Sequence, residues 1–209
     1  DALELNLYFV PTDASLTGAQ VETQYLDVIA SIRQRVELPL AIKIGPYFSS
    51  LPNFAHRAVE AGADGLVLFN RFLEPEINLN ERRVEPYLEL SRPAELRLSL
   101  RWLAILRNQL KCCSLAATSG IHSGTDVLKA LAVGANVVMI ASTLLKHGAE
   151  YVQTMESEMV QWLTDHEYYS MRQLTGRIAY AADDQPSAFE RANYASTLAS
   201  YMDQGACSS

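Results

Sequence analysis

The sequence predicts an α/β fold built on a parallel sheet, and three observations carry the prediction. Five short apolar runs, Ala2 to Phe9, Pro39 to Ile44, Gly65 to Phe69, Ser114 to Ala117 and Asn136 to Ile140, are each too short for a helix and are bounded by turn residues. Between them, apolar residues recur at helical spacing, so strand and helix alternate along the chain, as a parallel sheet with crossover helices requires. Two helix-to-strand joints also repeat one another, "EAGADGLVLF" from Glu60 and "AVGANVVMI" from Ala132. Each puts a glycine where a helix ends in the left-handed region, so the joints read as copies of one βα unit.

Taken in order, the first run, "LELNLYF", alternates Leu3, Leu5 and Leu7 with Glu4, Asn6 and Tyr8. If the leucines face the covering helices, Asn6 faces the other side of the sheet. Asp13 then precedes a helix expected to begin near Leu16, where it could cap or do chemistry, and Val21, Tyr25, Val28, Ile29, Ile32 and Val36 mark that helix's apolar face. The second run, "AIKIGP", carries Lys43. A lysine inside an apolar strand is costly unless something takes its charge. Either it is a structural lysine, snorkelling or paired with Glu4, or it is a fixed positive charge at the mouth of the sheet. Leu51, Phe54 and Ala58 form the next helix, and the third run ends on Asn70. Leu96, Leu100, Leu103 and Leu110 mark a helix before the fourth run, and Val127, Leu128 and Leu131 another before the fifth. After Ile140 come a long amphipathic helix with Tyr151, Met155, Met159 and Trp162 on one stripe and a helical piece from Met171 to Ile178. Residues 1–180 are expected to form one domain. Residues 181–209 read as a helical or flexible tail docked outside the core.

Composition narrows the function. With 17 basic and 24 acidic residues, the formal charge of -7 argues against a nucleic-acid or anionic membrane surface, so any phosphate must be gripped locally. No apolar run approaches the roughly 20 residues of a membrane helix. Cys112, Cys113 and Cys207 lack the spacing of a metal or disulfide framework and read as reduced thiols of a cytoplasmic protein, with no metal site expected.

Five βα units fit either half of a doubly wound sheet or the back part of an eight-stranded barrel. The strand ends favour the barrel. Its functional groups sit at the C-terminal ends of strands, and phosphate is commonly held by the loops after the last two. Here those strands end in "ATSGIHSG" and "IASTLLKHG", two turns of small residues that bring backbone amides toward an anion. An ordinary βα loop with glycine for its turn geometry is the simpler reading of one such loop, and the succession of two favours phosphate.

"ALELN" with Asn6, "IKIGPY" with Lys43, "DGLVLFN" with Asn70, "TSGIHSGTDVLKALAVGANVVMIASTLLKHG" and "YYSMRQLTGRI" together resemble the dihydroorotate dehydrogenases of the class 1 type. The resemblance runs from Asp1 to about Ile178 and implies a (β/α)8 TIM barrel that binds FMN, of which this chain supplies roughly strands four to eight. It implies that Lys43 stabilises the anionic reduced flavin, a catalytic and cofactor-binding role. It implies substrate contacts from Asn6 and Asn70, and phosphate-binding amides from Ser119, Gly120, Ala141 and Ser142. His122 would stand just behind that loop. The partners implied are a small molecule, dihydroorotate or a relative of it, and a homodimer is compatible with the family.

Three departures alter that expectation. The family carries a Ser or Cys base directly before the proline of the first loop, and an asparagine after it; here "NLYFVPTD" places Val10 and Thr12 there. The hydroxyl residue expected after Asn70 is Arg71, and the family's glycine-bearing phosphate loop falls on "LSRPAELR", which lacks glycine, so Ser91 is left unassigned. The flavin half of the site is expected to be intact and the dihydroorotate half changed. The function expected is an FMN-dependent oxidoreductase of pyrimidine-biosynthesis type, passing hydride between a substrate CH–CH group and flavin N5. The alternatives are an FMN-binding module without dihydroorotate turnover and a phosphate-sugar isomerase or aldolase. Since a barrel needs eight strands, the chain is expected to be a stretch of a protein longer by roughly 100 residues or more.

Overall fold

The computed structural model describes residues 1–72, 74–179 and 194. The chain divides into a unit of Asp1–Ala179 and a second of Tyr180–Ser209. The tail expected over 181–209 lies, apart from Tyr194, outside the described residues.

In chain order the first unit runs β1 (Leu3–Asn6), α1 (Gly18–Arg33), β2 (Leu40–Ile44), α2 (Leu51–Glu60), β3 (Gly65–Leu68), the pair β4 (Glu76–Asn78) and β5 (Arg83–Glu85), and a 3₁₀ turn at Pro93–Glu95. It continues with α3 (Leu96–Leu106), β6 (Ser114–Thr118), α4 (Gly124–Ala132), β7 (Val137–Met139), α5 (Ser142–His147), α6 (Tyr151–Asp165) and α7 (Met171–Leu174). All five apolar runs are strands; Leu7 to Phe9, Phe69 and Ile140 leave the ladder for the loops at the strands' C-terminal ends, the runs also lose Ala2, Pro39 and Asn136 at their starts, and β6 gains Thr118. They make one parallel sheet in the order β1-β2-β3-β6-β7. The order follows the chain without reversal. A doubly wound sheet reverses its strand order at a switch point, whereas a barrel adds each strand beside the last, so this topology is the barrel's. The antiparallel pair β4–β5 was not predicted: its polar segment, "EINLNERRVE", carries little apolar alternation.

The core lies between this sheet and its helices. Leu40, Ile42 and Ile44 of β2, Leu66 and Leu68 of β3 and Leu115 of β6 are fully buried, against Leu51 and Phe54 of α2 and Leu103 and Leu106 of α3. The repeated joints prove equivalent in three dimensions. Gly62 and Gly134 have φ of +114° and +118°, which glycine adopts at little cost. An arginine from the end of the preceding unit's helix lies over each, so that a Cβ at Gly62 would stand 2.6 Å from Arg33 Cγ and one at Gly134 2.5 Å from Arg107 Cγ. Two residues on, Asp64 accepts from the Leu40 amide at 2.8 Å and Asn136 from the Leu115 amide at 2.9 Å. Each joint thereby ties its new strand to the neighbouring one.

Two local expectations are corrected. Asp13 does not cap α1; Thr17 does, in a reciprocal capping box with Gln20, while Asp13 accepts from the amide and hydroxyl of Ser15, bonds that hold its carboxyl below the usual range. The helix at Met171 ends at Leu174, because Gly176 turns at φ +78° and the amides of Gly176 and Ile178 donate to Leu131 and Ala132 at the end of α4. The stripe of α6 packs as predicted: Met155 is buried, and Met159 and Trp162 cover Leu128, Ala132 and Leu174. Glu158 of the same helix accepts from the Gly124 amide at 2.6 Å, fastening α6 to the start of α4. No helix among the described residues is long and apolar enough to cross a membrane.

Candidate functional site

At the C-terminal ends of the strands a cavity of about 250 Å³ is lined by Lys43, Phe69, Asn70, Arg71, Ser91, Thr118 to Ile121 and Met139 to Ser142. Parallel pairing explains the convergence: Asn6 is in register with Lys43, Lys43 with Val67, Val67 with Ala116 and Thr118 with Met139, so all five strands deliver their ends to one level. Six of the seven residues named from the sequence, Lys43, Asn70, Ser119, Gly120, Ala141 and Ser142, therefore line one cavity.

Asn6, the seventh, lies outside the cavity's lining and is exposed on the edge strand, joined to it by a hydrogen bond from Asn70 Nδ2 to its Oδ1. Asn70 is buried and donates also to the Leu7 carbonyl at 3.1 Å. With both amide protons in use, what Asn70 offers a ligand is its Oδ1 acceptor, while Asn6 offers its amide donors. Both readings of Lys43 meet in one residue. It lines the cavity, and its Nζ stands 3.7 Å from Glu4 Oε1 with the side chain 23% exposed. A loose pair of this kind leaves the charge available to a ligand.

On the opposite wall Ser119 and Gly120 both take positive φ, +72° and +74°. For serine that conformation costs roughly 1–2 kcal/mol, and strain of this sort gathers at ligand sites. Gly120 is required for a reason the sequence did not disclose. A Cβ there would lie 2.3 Å from the Leu96 nitrogen and 2.9 Å from the Arg92 carbonyl oxygen, so the glycine is demanded by the backbone of the 92–96 loop packed against it.

That loop carries Ser91, which is buried and held from two sides. Its amide donates to Ser142 Oγ at 3.0 Å, and its carbonyl lies 2.7 Å from His122 Nε2, which must donate because a carbonyl only accepts. His122 Nδ1 stands 3.3 Å from Thr143 Oγ1, and the fully buried Thr143 hydroxyl donates to the Ile121 carbonyl. Three loops, at Ser91, at Ser119 to His122 and at Ala141 to Thr143, are thus hydrogen-bonded into one wall. Sequence reasoning left Ser91 unassigned, gave His122 only a supporting place and missed Thr143. Only half of a capping box is formed there: Glu95 Oε1 accepts from the Arg92 amide at 2.7 Å, while the arginine side chain has no acceptor to return the bond, so the tight turn left no capping signature in the sequence.

Two further cavities adjoin. One of about 410 Å³ shares Phe69, Asn70, Arg71 and Ser119 with the first. The other, of about 660 Å³, lies under the loop after β1 and is lined by Phe9, Val10, Pro11, Asp13, Leu16, Tyr25, Tyr47, Phe48 and Phe72 among others. Tyr25 donates to the Phe9 carbonyl at 3.2 Å, fastening that loop to α1, and burial pushes its phenol upward against the effect of this bond. Val10 is 55% exposed there and Tyr47 74%.

Comparison with known proteins agrees with this architecture. Residues 96–180, from α3 onward, match the model of a family described as FMN-dependent dehydrogenase. The chain is 28% identical over 157 residues to the catalytic subunit of dihydroorotate dehydrogenase B (NAD(+)) of Citrifermentans bemidjiense, covering 73% of this chain and 50% of that protein. It is 20% identical over 193 residues to a chloroplastic dihydropyrimidine dehydrogenase (NADP(+)) of Arabidopsis thaliana, covering 84% of this chain and 45% of the relative. The chain spans about half the length of the curated relatives it matches. Among solved structures, a DHODH of Eimeria tenella in complex with ferulenol superimposes with a TM-score of 0.64 over 85% of this chain and 54% of the other, at 20% identity. In sequence the chain is similar to the dihydroorotate dehydrogenases, and its parallel sheet is part of a TIM-barrel framework.

Proposed function

We propose that the chain holds FMN in an oxidoreductase of the dihydroorotate dehydrogenase type, the phosphate end against Ser119, Gly120, Ala141 and Ser142 and the ring end toward Lys43. The observation that supports this reading is the single cavity into which six residues named from sequence converge from β2, β3, β6 and β7. The residues present fit the group. One wall carries Ser119 and Gly120 in left-handed conformation beside Ala141 and Ser142, where backbone can approach a dianion closely, and the other carries a cation and an amide acceptor.

When bound, FMN supplies a two-electron acceptor for hydride. Lys43 would contribute a fixed positive charge favouring the reduced, negatively charged form of the ring, in a half-buried position where it acts more strongly than in water. Asn70 and Asn6, locked to each other, present one acceptor and one amide donor group to a planar substrate. Ser119, Gly120, Ala141 and Ser142 would hold the cofactor by its phosphate.

The substrate is the less supported part. A specific observation favours an FMN protein that does not turn over dihydroorotate: the loop after β1 presents Phe9, Val10 and Pro11 to the 660 Å³ cavity, with Asp13 and Glu22 as its carboxylates. Valine accepts no proton, and carboxylates disfavour an anionic ring. Glu22 is neutralised by Arg57 at 2.8 Å, but no such pair is formed by Asp13 among the described contacts. The test is titration of the purified chain with FMN followed by anaerobic addition of dihydroorotate. Tight binding with bleaching near 450 nm supports the full reading, binding without bleaching supports the second, and failure to bind FMN removes both.

A further inference from the structure

We infer that Arg71 is a positioning residue for the phosphate-binding wall, and that with Glu95 it does for the glycine-free 89–95 loop what a glycine turn would otherwise do. The inference rests on the FMN reading above. Its starting point is that the two oddities on this side of the sheet, an arginine after Asn70 and a loop without glycine, turn out to be in contact.

Arg71 leaves the end of β3 and uses its guanidinium as a fork. Nε stands 2.8 Å from Glu95 Oε2, Nη2 is 3.4 Å from Glu95 Oε1, and Nη1 donates to the Glu89 carbonyl. One side chain therefore grips both ends of the loop. Glu95 is fixed in turn, because its Oε1 accepts from the Arg92 amide at 2.7 Å and closes the 3₁₀ turn that leads into α3. Glu89 accepts from Arg92 Nε at 2.7 Å, which tightens the same turn.

The consequence reaches the cavity by two routes. Ser91, inside the gripped segment, meets Ser142 through its amide and His122 through its carbonyl, so the place of the loop sets the place of both cradle strands' ends. The backbone from Arg92 to Leu96 also packs so closely on Gly120 that no side chain fits between them. A loop of this length held only at its termini would sample many conformations, and each would move Ser91 and relax the contact with Gly120. A planar fork with three donors in fixed geometry is suited to hold it, and a lysine is not, since its single ammonium cannot serve the Glu95 carboxylate edge and the Glu89 carbonyl together.

Arg71 could instead act as a charge felt directly by the phosphate, and the two roles separate cleanly. FMN and riboflavin differ by the phosphate alone, so the ratio of their dissociation constants, read by quenching of flavin fluorescence, isolates the cradle from the ring site and from the general health of the fold. Wild-type protein should prefer FMN. Arg71→Ala should weaken FMN by about tenfold or more, as loss of charge-assisted hydrogen bonds entails, while riboflavin binding stays within twofold. Arg71→Lys should fall between. Glu95→Gln decides the mechanism: a brace predicts weaker FMN binding, and the double variant should be no worse than the worse single, since the two residues act as one unit. A direct charge predicts equal or tighter FMN binding in Glu95→Gln, because a competing anion has been removed, and that result overturns the inference. So does an unchanged FMN-to-riboflavin ratio in Arg71→Ala, or an equal loss of both ligands. Should Arg71→Ala fail to fold, Glu95→Gln and Arg71→Lys carry the test. A wild-type protein that binds the two flavins equally would instead reject the phosphate reading on which the inference stands.

Discussion

Replacing Gly120 by alanine tests whether the site's geometry is set by the protein's own packing or by the ligand. The added Cβ would meet the Leu96 nitrogen at 2.3 Å and the Arg92 carbonyl oxygen at 2.9 Å, both backbone atoms that cannot rotate away. At φ +74° an L side chain is also strained, by roughly 1–2 kcal/mol. Overpacking against an unyielding neighbour adds about 1–3 kcal/mol, so the expected destabilisation is about 2–5 kcal/mol. In a chain of 209 residues each kcal/mol moves the midpoint by roughly 2–4 °C, which puts the expected fall in Tm between about 4 and 20 °C. The assay is thermal unfolding of flavin-free Gly120→Ala beside flavin-free wild type, followed by FMN titration of both. Because the clash is with the protein itself, the loss should be present without any ligand. An unchanged Tm combined with a large loss of FMN affinity would refute the packing argument, and would return Gly120 to the simpler role of letting a phosphate approach the chain.

Lys43→Ala should keep some FMN affinity but lower the flavin midpoint potential, by about 30 mV for each tenfold by which the reduced anion is disfavoured in a two-electron couple; spectroelectrochemical titration measures it, and an unchanged potential would leave Lys43 as Glu4's partner alone. The FMN-loaded protein should oxidise dihydroorotate at no more than about 10⁻² to 10⁻⁴ of an enzyme with a positioned base, and Val10→Cys should not restore the rate by itself because Thr12 and Arg71 are also changed; stopped-flow reduction at ordinary enzymatic rates in the unaltered protein would show that another residue is the base. Burial pushes the Cys113 thiol up to about 11, with Asp64 adding to the effect. Since only the thiolate reacts, its alkylation should be slow at pH 7 to 9 and should rise with pH toward that value, whereas exposed Cys112 should react first; site-resolved mass spectrometry of the alkylated peptides checks the order.

What could be read from sequence divides by the range of the interaction. The strands were legible because a strand buried on both faces writes an unbroken apolar run, as Gly65 to Leu68 does with every residue buried. The repeated joints were legible because Gly62 and Gly134 answer a local demand for positive φ. Their arginine covers were not, since Arg33 and Arg107 lie 29 and 27 residues away along the chain and only folding brings them over the glycines. The same limit governs the site. Lys43, Asn70, Ser119 and Ser142 stand at strand ends, where the alternation of a parallel sheet already fixes which way the chain is going. Asn6 was read onto the inward face, and its link to Asn70 agrees with that, but it sits on the edge strand β1 and stays exposed outside the cavity. The hairpin of β4 and β5, the capping of α1 by Thr17 in place of Asp13, and the grip of Arg71 on Glu95 and Glu89 depend on loop geometry, which short polar segments do not encode as a period.

Holding a phosphate and abstracting a proton make different demands on sequence. A phosphate is held mainly by backbone, so what must be kept is the path of the chain, and several sets of side chains can keep the same path. Here Ser119 accepts a strained conformation, and Arg71, Glu95, His122 and Thr143 fasten by hydrogen bonds a loop that lacks glycine. Proton abstraction has no such latitude, because it needs one atom of suitable basicity within about 3 Å of one proton, and no rearrangement of backbone makes Val10 a base. A substituted cradle can therefore still bind its cofactor while a substituted base ends that reaction.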